Sequence, residues 1–409
     1  MKLKSGCIYW PQVYRGKTPA FSPLARDLRC DVAVIGSGIS GALVAYHLIR
    51  EGVGTVMLDR RAVGTGSTAA STGLLLYEID TPLIELAAKL DQQKAITAYQ
   101  ASLAALRAFE PLVTELGDAC ELVARPSLYL ASEEKHVESL RAECEARRSM
   151  QIDVTYLSRD RLREEFDIDR PGALLSREAF EIDPYRLTLK LIDRAVERGL
   201  EVFTPTEIVR IQENESGVLL DSAAGPRITA KRVVIATGYE AMQFLPANLC
   251  ELATTFAMVS QPVPDLSKWI ERCLIWESAR PYLYLRTTSD ERALIGGEDE
   301  KLIDAGTADE LISMKARRLC GRFSALMGIR IEPQCAWSGV FGWTSDGLPY
   351  IGTLKPSAHT YFGLGYGGNG ITFSLSAAQI ISDSFVGRPN EHAACFRFDR
   401  GFAGQTARR

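Results

Sequence analysis

The chain has 409 residues, 46% hydrophobic and 24% charged, with a formal net charge of −4. That length suits two domains or one doubly wound domain with an insertion. The small negative charge gives no electrostatic basis for holding nucleic acid or an anionic membrane. No apolar run approaches the roughly 20 residues of a membrane span. The opening MKLKSGCIYWPQVYRG lacks the apolar core of a secretory leader, so a cytoplasmic location is expected. The nine cysteines are scattered, with no CxxC pair. They are expected to be reduced, buried thiols rather than a disulfide framework or a metal site, and no metal is expected.

Cys30 to Arg60 reads as one β-α-β unit built for a dinucleotide. Asp31–Ile35 is a short β-branched apolar run, which predicts a buried parallel strand. Gly36-Ser-Gly-Ile-Ser-Gly41 follows at once, Ala42–Glu51 has helical periodicity, and Thr55–Leu58 predicts a second strand. Gly36 permits the tight turn, Gly38 lets a pyrophosphate approach the backbone, and Gly41 lets the helix pack close to the strand. The helix N-terminus, Ile39 included, offers N–H groups to phosphate. Asp59 stands about 20 residues on, where an acid bonds a ribose hydroxyl. Arg60-Arg61 leaves a second reading open, a clamp for the 2′-phosphate of NADP.

Arg60 to Gly73 is a loop of small residues and hydroxyls, which lets a flat ligand lie against backbone. Thr81-Pro82 predicts a helix start, and apolar residues recur at helical spacing from Leu83 to Leu116. Glu133–Arg148 predicts another helix. Asp183-Pro184 caps a further helix that Gly199 ends. Short strands follow at 201–203, 208–211, 217–221 and 227–229, and Lys231–Gly238 is an apolar strand entering a small-residue turn. Strand signals then dominate from Leu252 to Gly297, with connections too short for helical crossovers, so the sheet is expected to be antiparallel. Ala308–Met327 predicts a helix. The last loop, Gly363–Ile371, lies between a short strand and the helix Thr372–Phe385. It aims a helix N-terminus at a ligand that becomes negative, as a reduced flavin does.

The motifs VAVIGSGISG, LDRRAVGTGSTAASTG, DPYRL, RVVIATG, TSDGLPYIG and LGYGGNGITFS, in that order, resemble the FAD-dependent D-amino acid oxidase family. That family includes glycine oxidase, sarcosine oxidase and γ-glutamylputrescine oxidase. The resemblance covers nearly the whole chain and is specific for fold and FAD rather than for substrate. It implies an α/β fold: a doubly wound, Rossmann-like FAD domain (1–78, 151–240 and 336–409), a helical insertion (79–150) and an antiparallel substrate domain (241–335). It places Gly36, Gly38 and Gly41 at the pyrophosphate, Asp59 at the ribose and Arg60 at the adenine end. Ser67, Thr68 and Gly73 would line the passage to the flavin, and Ile208 would lie at the adenine. Thr237 and Gly238 would close the sheet around the cofactor. Gly365, Gly367, Gly368, Asn369 and Gly370 would meet the flavin ring.

The departures from the family bear on chemistry. A histidine that attaches flavin covalently in some relatives is replaced by Ala70, and the cysteine used in sarcosine oxidase falls near Gly339, so FAD is expected to be non-covalent. The arginine that grips a substrate carboxylate in glycine oxidase is replaced by Phe341. Leu74-Leu75-Leu76 stands where sarcosine oxidase has arginines. A small α-amino acid held in the usual way is therefore disfavoured. On an extended strand Tyr282, Tyr284 and Arg286 share a face, which would suit an amine with a distal carboxylate. Trp343 is a further pocket candidate. No histidine falls in a pocket motif, and no general base is evident. The expected activity is oxidation of a C–N bond in an amine or amino-acid derivative by hydride transfer to flavin N5. Oxygen or another electron acceptor completes it: Leu294 stands near the position of sarcosine oxidase's oxygen-activating lysine, which keeps a dehydrogenase open. A flavoprotein subunit serving a partner protein is the rival from another class, and the oligomeric state is open.

Overall fold

A computed structural model describes residues 3–245, 249–355 and 358–400. The mixed α/β molecule is organised on two large sheets. The first begins with the buried strand Leu28–Ile35, which runs parallel to Thr55–Leu58 on one side and to Arg227–Ile235 on the other. Arg227–Ile235 serves two partners along its length. Its first half pairs antiparallel with Gly217–Ser222, and Val233–Ile235 pair parallel with Thr360–Phe362 of the strand Thr360–Leu364. The parallel strands therefore end together, and the loops at 36–41, 236–238 and 365–370 leave from one edge. Ligands of open α/β sheets bind outside that carboxyl edge.

Helix Ile39–Arg50 is held close to the sheet by the absence of a side chain. A Cβ at Gly41 would stand 1.9 Å from the Gly36 carbonyl oxygen. The final helix, Gly370–Phe385, packs on it, with the Ser40 and Ser374 hydroxyls 2.7 Å apart.

The second sheet has nine strands. Its middle is the antiparallel set Glu251–Ser260, Ala293–Lys301, Leu283–Thr287 and Leu274–Glu277, as the short connections predicted. Its ends differ from the expected segments. Ser127–Leu130, Gly172–Ser176 and Val154–Ser158 extend it on one side, Pro333–Trp343 and Lys4–Gly6 on the other. The boundaries 79–150, 151–240, 241–335 and 336–409 therefore do not coincide with sheet membership. Residues 1–2, 246–248, 356–357 and 401–409 of those segments lie outside the described residues. Ser127–Leu130 and Gly172–Ser176 are buried at every position, so they lack the alternation by which a half-exposed strand is read. Helix Ala305–Met327 covers this sheet.

The helical stretch after residue 79 is three helices rather than one: Leu83–Lys89, Gln92–Arg107 and Phe109–Leu116. Asp91 caps the second through the Lys94 N–H. Pro82 stands one residue before its helix, and the Glu143 carboxylate from helix Val137–Ser149 accepts the Leu83 and Ile84 N–H groups at 2.8 and 3.0 Å. Asp183-Pro184 does form the expected cap, with the Tyr185 and Arg186 N–H groups on the Asp183 carboxylate at 2.9 Å. The cysteine expectation needs one correction. Cys7 and Cys335 form a disulfide that fastens the N-terminal segment to Pro333–Trp343, because strand pairing of Lys4–Gly6 with that strand brings the two together. Cys30, Cys120, Cys144, Cys273, Cys320 and Cys395 are free thiols, and Cys250 is in no disulfide among the described residues. Among the described residues no helix is long and apolar enough to cross a membrane.

Two predictions test this framework. Arg147 is fully buried between Glu143, at 2.7 Å, and Glu78, at 3.1 Å. Burial pushes the Glu78 carboxyl up, and the Arg147 guanidinium opposes that shift. Arg147→Met leaves two buried carboxylates without their cation and should cost about 3–5 kcal/mol. A lowered urea midpoint at neutral pH is expected, and an unchanged midpoint would contradict it. Gly41→Ala should destabilise by about 1–3 kcal/mol through overpacking. Gly321→Ala, exposed in helix Ala305–Met327 with nothing near its Cβ, should stabilise by about 0.5–1 kcal/mol. Thermal midpoints moving the same way in both variants would contradict the close-approach argument.

Candidate active site

One long cleft follows the carboxyl edge of the first sheet and continues between the two sheets. At one end it is lined by Gly36, Gly38, Ile39, Asp59, Arg60, Ile208, Thr237 and Gly238. Asp59 holds the turn that carries it: its carboxylate accepts the Ser37 N–H and hydroxyl at 2.7 Å and the Arg61 N–H at 2.8 Å. Gly41 does not line the cleft and acts through the packing described above. Arg60 and Arg61 both pair with Glu240, and Arg60 also with Glu207. Burial penalises the Glu240 charge, but the guanidinium groups outweigh it and hold its carboxyl below the usual range. With its charge met by these carboxylates, the arginine pair is poorly suited to clamp a 2′-phosphate.

The middle of the cleft is a single 3₁₀ turn, Ser67–Ala70. The Thr68 hydroxyl accepts the Ile39 N–H at 2.9 Å and so ties this turn to the helix start. The Ser67 and Thr237 hydroxyls are buried without a hydrogen-bond partner among the described residues. Ala70 and Gly339 both line this stretch as neighbours, a Cβ at Gly339 standing 3.8 Å from that of Ala70. Neither carries a nucleophile, and Cys335 lies off the cleft. Among the described residues no histidine or cysteine lines it.

The glycine-rich turn 365–370 forms the next wall. Gly365 and Gly367 take positive φ values of 75° and 59°, which glycine adopts without strain. Asn369 fastens the turn by donating to the Glu78 carbonyl at 2.8 Å. The Gly368 N–H donates to the Asp80 carboxylate at 2.7 Å.

Beyond this turn the cleft is aromatic and acidic. Tyr282, Tyr284 and Phe341 line it, with Leu74, Leu76 and Trp276. The two tyrosine rings stand 5.5 Å apart, and Tyr284 lies against Gly296, where any Cβ would strike its ring. Three sequence expectations need correction here. Arg286 shares the strand face of Tyr284 but does not reach the cleft. It is 1% exposed, and it donates to the carbonyls of Gly73, Ile182 and Thr287 at 2.7–2.9 Å with its guanidinium over Trp10. A buried guanidinium needs its donors met, and the turn at Gly73 supplies one acceptor. Gly73 accordingly serves Arg286 rather than the cleft. Trp343 is 38% exposed and stands outside, its ring 5.5 Å from that of Phe341.

Sequence reasoning missed Asp80, Asp299 and Thr255. Asp80 precedes the Thr81-Pro82 signal, and nothing local marks it. Burial pushes its carboxyl up, against the lowering effect of the Gly368 N–H and Arg280. Burial also raises Asp299 and the tyrosines Tyr282, Tyr284 and Tyr239. Among the described residues no group of three or more His, Cys, Asp or Glu side chains is gathered to hold a metal ion.

The cleft fits FAD on its own evidence: a side-chain-free approach to a helix N-terminus, an acid at the end of the second strand, orphaned buried hydroxyls and a glycine wall. The family model for FAD-dependent oxidoreductases (DAO) matches residues 31–384. A γ-glutamylputrescine oxidoreductase of Escherichia coli is 25% identical, over 91% of this chain and 87% of that protein. A glycine oxidase of Geobacillus kaustophilus is likewise 25% identical, over 87% and 92%. The crystal structure of a glycine oxidase from Geobacillus kaustophilus superposes with a TM-score of 0.76 at 22% identity, covering 92% of this chain and 100% of that one. An L-proline dehydrogenase from P. horikoshii does so at 0.75 and 18%, covering 92% and 99%. These last two likenesses concern the fold. With most of its length matched by that model, the chain is an FAD-dependent oxidoreductase and belongs to the DAO family.

Proposed function

We propose that this enzyme oxidises a C–N bond of an amine or amino-acid derivative on non-covalently held FAD. Bound FAD supplies a hydride acceptor at N5. Gly36, Gly38 and the start of helix Ile39–Arg50 would hold the pyrophosphate, Asp59 a ribose hydroxyl, and the turn 365–370 the flavin ring. Ser67, Thr68, Thr237 and Gly238 would meet the stretch between. The tyrosine pair and Phe341 would exclude water and orient the carbon–hydrogen bond to be broken. The names of the relatives support this substrate range, since one is a γ-glutamylputrescine oxidoreductase and another a glycine oxidase.

One observation carries the preference for an amine. The only cationic side chains lining the cleft, among the described residues, are Arg60 and Arg61, both at the nucleotide end. Arg286 is spent on backbone carbonyls. A substrate carboxylate beside Asp80 would meet a like charge instead, which at about 4 Å in a partly solvated site costs about 4 kcal/mol. The same observation favours a dehydrogenase as second reading. Oxygen becomes an anion with its first electron, and the reactive end offers it no lysine or arginine. The reading keeps the cytoplasmic location expected from the sequence.

The test is an anaerobic titration of the flavin absorbance with separate pools of amines and α-amino acids. Bleaching by an amine pool is expected, with slow recolouring on readmission of air. A band that no pool bleaches removes this reading. Acid precipitation should leave the flavin in solution, and yellow pellet would refute non-covalent binding. Phe341→Arg should raise kcat/KM for glycine-like acids at least tenfold relative to amines. No gain would show that the missing clamp is not what excludes them.

A further inference from the structure

One carboxylate, Asp80, lines the reactive end of the cleft, and a second, Asp299, acts on the same tyrosines without lining it. Asp80 accepts one backbone N–H, from Gly368, and its other oxygen faces the cleft wall formed by Gly367 and Gly368. Asp299 lies on strand Ala293–Lys301 beside Tyr284, and its Oδ1 is buried without a hydrogen-bond partner. The charges of Asp80 and Asp299 act on each other and on both Tyr282 and Tyr284. Thr255 bonds the Asp299 carboxylate, and the Arg280 and Lys315 charges also act on it, so Asp80 is the acid left to face the cleft. The single guanidinium nearby, Arg280, is exposed. It lies over the outer ring, Tyr282, at 4.7 Å and donates to the backbone carbonyls of Ala279, at 3.4 Å, and Asp80, at 3.5 Å, so that only its charge acts on the Asp80 carboxylate. A carboxylate beside tyrosine rings is a receptor for a cation, through both ion pairing and the ring faces.

We infer that Asp80 binds the ammonium group of the substrate beside the Tyr282 and Tyr284 rings, so that the enzyme selects alkylammonium compounds without an α-carboxylate. This rests on the proposed amine oxidation and names its specificity residue. Gly367 and Gly368 leave the Asp80 carboxylate room that side chains would fill, since a Cβ at either would stand 3.2 or 2.8 Å from it. The carboxylate is thereby held against the wall that faces the cofactor ring. The bound ammonium must first give up a proton, which the Asp80 carboxylate can accept, before the neutral amine can lose hydride from its α-carbon and become an iminium.

The experiment uses FAD-loaded enzyme and three probes of one shape: tert-butylammonium, tert-butanol and pivalate. None has a hydrogen on the carbon next to its polar group, so none is turned over. Binding is read from the perturbation of the flavin absorbance. Tert-butylammonium should bind at least fivefold more tightly than pivalate or tert-butanol. Asp80→Asn, which keeps an acceptor for the Gly368 N–H, should weaken the cation at least fivefold and leave tert-butanol unchanged. Arg280→Gln should strengthen the cation, and it stands in for Asp80→Asn should that variant fail to hold FAD. Pivalate binding as tightly as the cation overturns the inference. So does a change of less than fivefold in Asp80→Asn, or weaker cation binding in Arg280→Gln. Because the probes are inert, these outcomes are independent of the anaerobic titration, whose failure alone would point to a substrate outside the amine class.

Discussion

The approach of a helix to a strand end is the constraint on which the site depends. Helix Ile39–Arg50 sits where it does because Gly41 brings only a hydrogen toward the Gly36 carbonyl. That places the start of the helix over the carboxyl edge of the sheet, in line with Asp59 at the end of the neighbouring strand. The Thr68 hydroxyl on the Ile39 N–H carries the same position into the next turn, and Ser40 against Ser374 carries it into the last helix. The glycine wall at 365–370 is therefore set, through packing, by a turn more than 300 residues earlier.

Arg286 is the second brace. A guanidinium buried at the junction of the two sheets costs several kcal/mol unless its donors are met, and three carbonyls from three chain segments meet them. Gly73, Ile182 and Thr287 are thus held to one another by a single side chain. This explains why a residue on the correct strand face is absent from the cleft. Alternation along a strand fixes the side from which a side chain leaves, but not what covers that side. The loop at Gly73 covers Arg286, while Tyr284, two residues before, remains open to the cleft.

The same distinction marks what was legible in the sequence. The nucleotide end was, because its chemistry is local: turn, helix start and acid fall within Cys30–Arg60, and their spacing is dictated by backbone geometry. The turn 365–370 was legible for the same reason. Ser127–Leu130 and Gly172–Ser176 were not, since strands buried on both faces carry no alternation. The Cys7–Cys335 pair was not, because a sequence separation of 328 gives no spacing to read. Asp80 and Asp299 were hidden likewise: each is an ordinary loop or strand acid until the fold brings them to one pair of tyrosines.

The position of Asp80 sets a physical contest at the reactive end. The turn leading into helix Gly370–Phe385 offers N–H groups that favour negative charge, and a reduced flavin gains such charge. Asp80 already occupies one of these groups, through Gly368. Its carboxylate would therefore oppose charge on the flavin for as long as it is itself unbalanced. A bound ammonium removes that opposition at the moment the substrate is present. On the proposed reading the acid would couple occupancy to the ease of flavin reduction. A carboxylate clamp built from arginine would act in the opposite sense, favouring negative charge whether or not substrate were bound. On that reading, Phe341 where the resemblance implies an arginine, with Asp80 beside the glycine wall, would change more than which end of a substrate is gripped: it would make the electrostatics of the cofactor ring depend on the substrate's own charge.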